Sequence, residues 1–144
     1  MMDAGDQEAD SSYESAGSIA SDTTSIKSDI LRYHFEHGRR YHAYKAGSYY
    51  YPNDEQALNQ MDIEHHNQML MLDKLHLSPI SDPQEILDVG TGTGIWAIDV
   101  ADSYPSAIVT GTDLSPTQPS WVPPNVRFEI DDFKDEWCVA LPHP

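Results

Sequence analysis

The stretch "EILDVGTGTGIWAID", Glu85 to Asp99, constrains the fold more than any other part of the chain. A short apolar run carries an acidic residue, Asp88, and glycines follow at alternate positions, Gly90, Gly92 and Gly94. Residues without Cβ let the backbone turn tightly and let another group approach it closely. A strand, a glycine turn and a helix in this order open a parallel α/β unit. The downstream pattern continues it. "GIWAIDVADSYP" predicts a helix that starts inside the loop and stops by Pro105. "AIVTGTDL" and "VRFEIDD" predict a second and a third strand, joined by right-handed crossovers. Between them "SPTQPSWVPPN" holds Pro116, Pro119, Pro123 and Pro124, so that crossover is expected to be an irregular loop, pinned by Trp121.

Upstream, "SDILRYHFEHGRRYHAY" predicts a short helix weakened or ended at Gly38, followed by a loop, "KAGSYYYPND". Asn53 or Asp54 caps a longer helix expected to run to about Leu77. Leu58, Met61, His65, Met69, Leu72 and Leu75 form one stripe, and Ile63, Leu70 and Leu77 a second. Two stripes predict a helix sandwiched between other elements, with its methionines in the core. The run Tyr49 to Tyr51 reads as a lid packed on the domain or as a wall of a ligand pocket. Residues 1–27 are acidic, rich in Ser and Asp, and poor in large aliphatic side chains. They cannot bury enough apolar surface to offset their ordering entropy, so a disordered tail is expected there. The organisation is thus a tail over 1–27, an N-terminal helical segment over 28–83, and a partial α/β domain over 84–144.

Composition narrows the function. A net charge of -16 disfavours direct binding to nucleic acid or to an anionic membrane. No apolar run approaches the roughly 20 residues of a membrane span. The N-terminus has neither the apolar core of a secretory signal nor the basic character of a transit peptide. The single cysteine, Cys138, excludes an internal disulfide and suits a reducing compartment, cytoplasm or nucleus. The seven histidines show no zinc spacing, so no metal site is expected.

Two cofactor classes compete for the glycine loop. A dinucleotide fingerprint, G-x-G-x-x-G, requires glycine where this chain has Ile95. That departure disfavours a nicotinamide-dependent dehydrogenase. The spacing found suits a ligand without phosphate, and S-adenosylmethionine is one. Asp113, at the tip of the second strand, is placed to accept hydrogen bonds from two ribose hydroxyls. Asp132, after the third, is placed to accept from an adenine amino group, with the Phe133 backbone N–H donating to a ring nitrogen. Each of these acids has a plainer reading, a turn-capping Asp for Asp113 and a strand-end surface acid for Asp132.

Taken together, "LDVGTGTGIWAIDVA", "GTDLSPTQPSWVPPNVRFEIDD" and "GRRYHAYKAGSYYYPND" resemble the fungal LaeA-like methyltransferases. These are class I S-adenosylmethionine-dependent enzymes linked to regulation of secondary metabolism. The resemblance implies the N-terminal half of a Rossmann-like sheet, preceded by helices and the acidic tail. It implies a cofactor site made by Asp88, Gly90, Thr91, Gly92, Gly94, Asp113, Leu114, Asp132 and Phe133. Gly90, Gly92 and Gly94 would meet the methionine half, Asp113 the ribose, and Asp132 with Phe133 the adenine. It also implies four further strands, including one beside the first that faces the transferred methyl. The chain is therefore expected to be a fragment without the acceptor half, inactive alone, with the edge of "EILDV" open to self-association. No catalytic base is identified, and the methyl acceptor is not specified. A non-catalytic protein that keeps this half to bind cofactor or a regulatory partner is the alternative.

Overall fold

The computed structural model describes residues 28–136; the expected acidic tail and Cys138 lie outside these. Among the described residues, five strands and two long helices are formed. Strands β1 (His34–Glu36) and β2 (Arg39–Tyr41) make a hairpin, followed by helix α1 (Glu55–Leu72). The α/β unit follows as β3 (Glu85–Val89), α2 (Ile95–Ser103), β4 (Ile108–Asp113) and β5 (Val126–Ile130).

The α/β unit forms as its pattern predicts. Strands β3, β4 and β5 are parallel and adjacent in that order. Helix α2 packs Ala97, Val100 and Ala101 against Val109 and Val126 of the sheet. These side chains are small, so helix and sheet approach closely. Gly111 and Phe128 are register partners on β4 and β5, and the Phe128 ring fills the space above the strand glycine. Among the described residues β3 pairs only with β4, so it forms one edge of the sheet.

The link from β4 to β5 is irregular, as its prolines require. Trp121 does not pin it: its side chain is 91% exposed. Asn125 does that work, donating from Nδ2 to the carbonyl of Ala101 in the last turn of α2 (3.1 Å) and to that of Ala107, just before β4 (3.0 Å). One amide side chain thus ties the link to the end of the helix and to the start of the strand.

The N-terminal segment differs from its expected helix. Only residues 28–30 are helical, and His34 to Tyr41 form the β1–β2 hairpin. Its two turn residues, His37 and Gly38, both have positive φ (49° and 76°), the geometry that matches the twist of a two-residue hairpin. Gly38 closes this turn; it does not end a helix. Helix α1 is capped by Asp54, whose Oδ1 accepts from Ala57 N at 3.0 Å. It stops at Leu72, before the expected Leu77, because Asp73 turns left-handed and returns its N–H to Met69 O. Nor is α1 sandwiched. Ala57 is its one buried residue, and Ile63, Leu70 and Leu77 of the second stripe are exposed.

Candidate functional site

The glycine loop leaves β3 at the C-terminal edge of the sheet, where open parallel sheets place their ligands. Gly90, Gly92 and Gly94 all have positive φ, at 75°, 58° and 80°. The first two glycines shape the cavity and the third shapes the core. A Cβ on Gly94 would lie 2.4 Å from Phe128 Cζ, whereas one on Gly92 would meet only Met61 Sδ, at 3.3 Å.

Gly92 is held on every side. Its N–H donates to Asp113 Oδ2 at 2.9 Å. Its carbonyl accepts from Thr117 Oγ1 at 2.9 Å and from Gln118 Nε2 at 2.7 Å. A carbonyl has two lone pairs, so this one is saturated. What Gly92 presents to the cavity is its bare Cα. Asp113 also accepts from Ser115 N through Oδ1, at 2.9 Å. One acid therefore ties the glycine loop to the tip of β4, and each of its oxygens keeps a lone pair for a ligand hydroxyl.

The cavity in front of this pair holds about 200 Å³. Gly90, Gly92, Asp113, Leu114 and Phe133 line it, as do Tyr49, Tyr51, Leu58 and Met61. Of the other expected residues, Asp88 and Thr91 lie behind the loop. Thr91 Oγ1 donates to Asp88 Oδ2 at 2.6 Å. Burial raises the Asp88 carboxyl above the usual range; the Thr91 bond opposes this and the Asp113 charge adds to it. Asp132 is buried at 7% exposure and does not line the cavity. Its Oδ1 accepts from Lys134 N and its Oδ2 from Lys45 Nζ. The Lys134 N–H, with the Lys45 charge, holds this carboxyl below the usual range. Its neighbour Asp131 lines the cavity instead.

The tyrosine run is divided. Tyr49 and Tyr51 line the cavity, while Tyr50 is 83% exposed. Desolvation, followed by nearby Tyr50 and the Asp113 charge, raises the Tyr49 hydroxyl above its ordinary value. Met61, expected in the core, lines the cavity because α1 is covered on one side only. Asp62, one residue on, accepts from Thr93 Oγ1 at 2.7 Å and so braces the glycine loop from α1. Sequence reasoning missed Asn53, Ser115, Thr117 and Gln118. For Ser115, Thr117 and Gln118 the signal was present in the polar residues flanking the prolines of the β4–β5 link, and Asn53 was read only as a possible helix cap.

Among the described residues, no helix is long and apolar enough to cross a membrane. A family profile described as a methyltransferase domain matches residues 63–142, more than half of the chain. The chain is 49% identical over 127 residues to "Methyltransferase pytC" of Aspergillus terreus, covering 85% of this chain and 39% of that protein. It is 40% identical over 131 residues to "Secondary metabolism regulator laeA" of Aspergillus flavus, covering 89% and 36%. It is 40% identical over 121 residues to "Protein-methionine methyltransferase laeA" of Emericella nidulans, covering 81% and 32%. The chain thus spans between 32% and 39% of the length of these relatives. No solved structure matches it. The glycine loop, the parallel strand order and the family match agree: the chain belongs to the S-adenosylmethionine-dependent methyltransferase family, as a LaeA-like member.

Proposed function

We propose that the cavity holds S-adenosylmethionine and that the chain carries the cofactor-binding part of a methyltransferase. One observation carries this reading. Among the described residues, the cavity wall contains two carboxylates, Asp113 and Asp131, and neither Lys nor Arg. A dinucleotide would bring a doubly negative pyrophosphate to this acidic wall. S-adenosylmethionine brings a sulfonium and an ammonium, and its ribose offers hydroxyls that a carboxylate accepts.

The cofactor supplies an already activated methyl group, so the protein's task is alignment and electrostatics. Asp113 would orient the ribose while keeping the glycine loop in register through Gly92 N. Phe133 N–H and the acid beside it would receive the adenine. Asp131 is as well placed for that as Asp132, whose carboxylate is engaged by Lys45. The Tyr49 and Tyr51 rings give the cationic centre an aromatic wall, a contact worth roughly 0.5–2 kcal/mol. The methyl acceptor belongs to the proposal only as a class. One relative is named for methionine in proteins, and a thioether acceptor is the reading that name suggests. A role in secondary-metabolism regulation, with a regulatory partner, in cytoplasm or nucleus, is carried over in the same way.

Calorimetry with S-adenosylmethionine, its demethylated product and NAD tests the reading. Binding of either sulfur nucleoside above NAD is expected, and tighter NAD binding would overturn it. Asp113→Ala should weaken that binding on the order of 2–4 kcal/mol, from hydrogen bonds to a charged acceptor. Unchanged affinity would remove Asp113 from the site.

A further inference from the structure

Residues 42–53 cross the C-terminal edge of the sheet as a strap and supply Tyr49, Tyr51 and Asn53 to the cavity wall. The base of this strap, where Asn53 returns to β2, and the turn around Lys45 are fastened very differently. At the Asn53 end the contacts are dense. Asn53 Nδ2 donates to Ser115 Oγ in a buried contact of 3.1 Å, and Asn53 N donates to Arg40 O at 2.7 Å. Arg40 Nε returns a bond to Asn53 Oδ1 at 3.1 Å. Beside it, Arg39 grips Asp54 with Nε and Nη2, at 2.6 and 3.0 Å.

At the turn of the strap, one side chain reaches the sheet half. Lys45 Nζ lies 3.1 Å from Asp132 Oδ2 and also pairs with Asp135. Lys45 is one third exposed and Asp135 nearly half exposed, so water and salt reach this pair. The turn that carries Lys45 is knitted internally. Ser48 N donates to Lys45 O at 3.0 Å, and the buried His42 ring lies within reach of both Lys45 O and Ser48 Oγ. Lys45 and Gly47 both have positive φ, which fixes the shape of this turn. The turn therefore keeps its own shape when Lys45 lets go.

We propose that the strap is a lid over the cavity, fixed at Asn53 and latched by Lys45 on Asp132 and Asp135, and that cofactor exchange proceeds by release of this latch. The proposal rests on the cofactor reading above. It gives Asp132 a role that its burial and its bond to Lys45 support: it anchors the closed lid. Lys45 is a positioning residue, since it acts through the lid and lines none of the cavity.

The test uses the full chain as wild type, Lys45→Met and Lys45→Arg. Hydrogen exchange over residues 42–52 is measured without ligand, and release of S-adenosylhomocysteine is followed by stopped flow. In Lys45→Met, exchange in the strap should rise severalfold while α2 and β4 are unchanged, and release should quicken severalfold. Lys45→Arg should restore both. Wild-type strap exchange should approach that of Lys45→Met near 1 M salt, where the screening length falls to roughly 3 Å. Unchanged strap exchange in Lys45→Met overturns the latch. Faster exchange with unchanged release overturns the lid. If the wild type binds neither sulfur nucleoside, the cofactor reading and the lid role fall together, and the ligand-free exchange still decides the latch separately.

Discussion

The sheet half, from Glu85 onward, buries Ala97, Val100, Ala101, Ala107, Val109 and Val126. The N-terminal half, residues 28–72, buries one hydrophobic side chain, Ala57. What secures the N-terminal half is polar: Arg39 on Asp54, Asn53 on Ser115, Lys45 on Asp132. Apolar burial is non-directional and scales with area, so the sheet half behaves as one unit. Charged hydrogen bonds are directional and partly screened, so the N-terminal half can detach piece by piece. The candidate site lies between the two, with a rigid floor and a fastened wall.

The largest expected effect tests the floor. Gly94→Ala places a methyl group 2.4 Å from Phe128 Cζ at a φ of 80°. Overpacking and left-handed strain together cost about 3 kcal/mol. Denaturant unfolding should show loss across the whole sheet half. Adding Phe128→Leu, which removes the clashing atom, should recover part of it. A loss confined to the glycine loop would show that the half is not one unit.

The next effect tests the wall. Asp54→Asn keeps a capping side chain for α1 but removes the charge that grips Arg39. Hydrogen exchange should rise in the β1–β2 hairpin, while α2 and β4 keep their protection. Acid should do the same to the wild type. The Arg39 guanidinium, helped by the Ala57 N–H, holds the Asp54 carboxyl far below the carboxylate range. For such a group the stabilisation is complete above the unfolded value of roughly 3.9 and is lost as pH falls through the lower native one. The hairpin should loosen at acid pH before the sheet does. Simultaneous loss of both would erase the distinction between the halves.

The smallest effect is expected behind the loop. The Asp88 carboxyl is raised chiefly by burial, so its charged form weakens the fold at neutral pH. That penalty is relieved as pH falls from above the raised native value toward the unfolded one. Asp88→Asn keeps an oxygen for Thr91 and removes the charge. A slight rise in the thermal midpoint at pH 7, absent at pH 4, is the expected result. A fall would mean that the charge supports the loop.

The parallel unit was legible because its signals are local. The glycine spacing, the acid before it and the apolar runs of β3, β4 and β5 each fit within a few residues, and the prolines alone excluded a regular second crossover. The same locality misled at the N-terminus. "RYHFEHGRRY" is polar enough to suit either state, and the pairing of Phe35 with Arg40 across His37 and Gly38 decided for the hairpin. The sandwiched reading of α1 failed for a related reason. Apolar stripes say which faces could be buried, and only the surroundings say which one is.

By itself the sequence determined the strand–loop–helix order, the glycine turn, the acid at the tip of β4 and the family. Each depends on backbone geometry that a residue imposes on its near neighbours. The tertiary structure decided which of Asp131 and Asp132 lines the cavity and which meets Lys45. It decided that Phe128 stands over Gly111, through the register of β4 and β5. It decided that Lys45 meets Asp132 across a separation of 87 residues. Contacts of that span form only when the sheet has brought the segments together, because chain entropy opposes them until then.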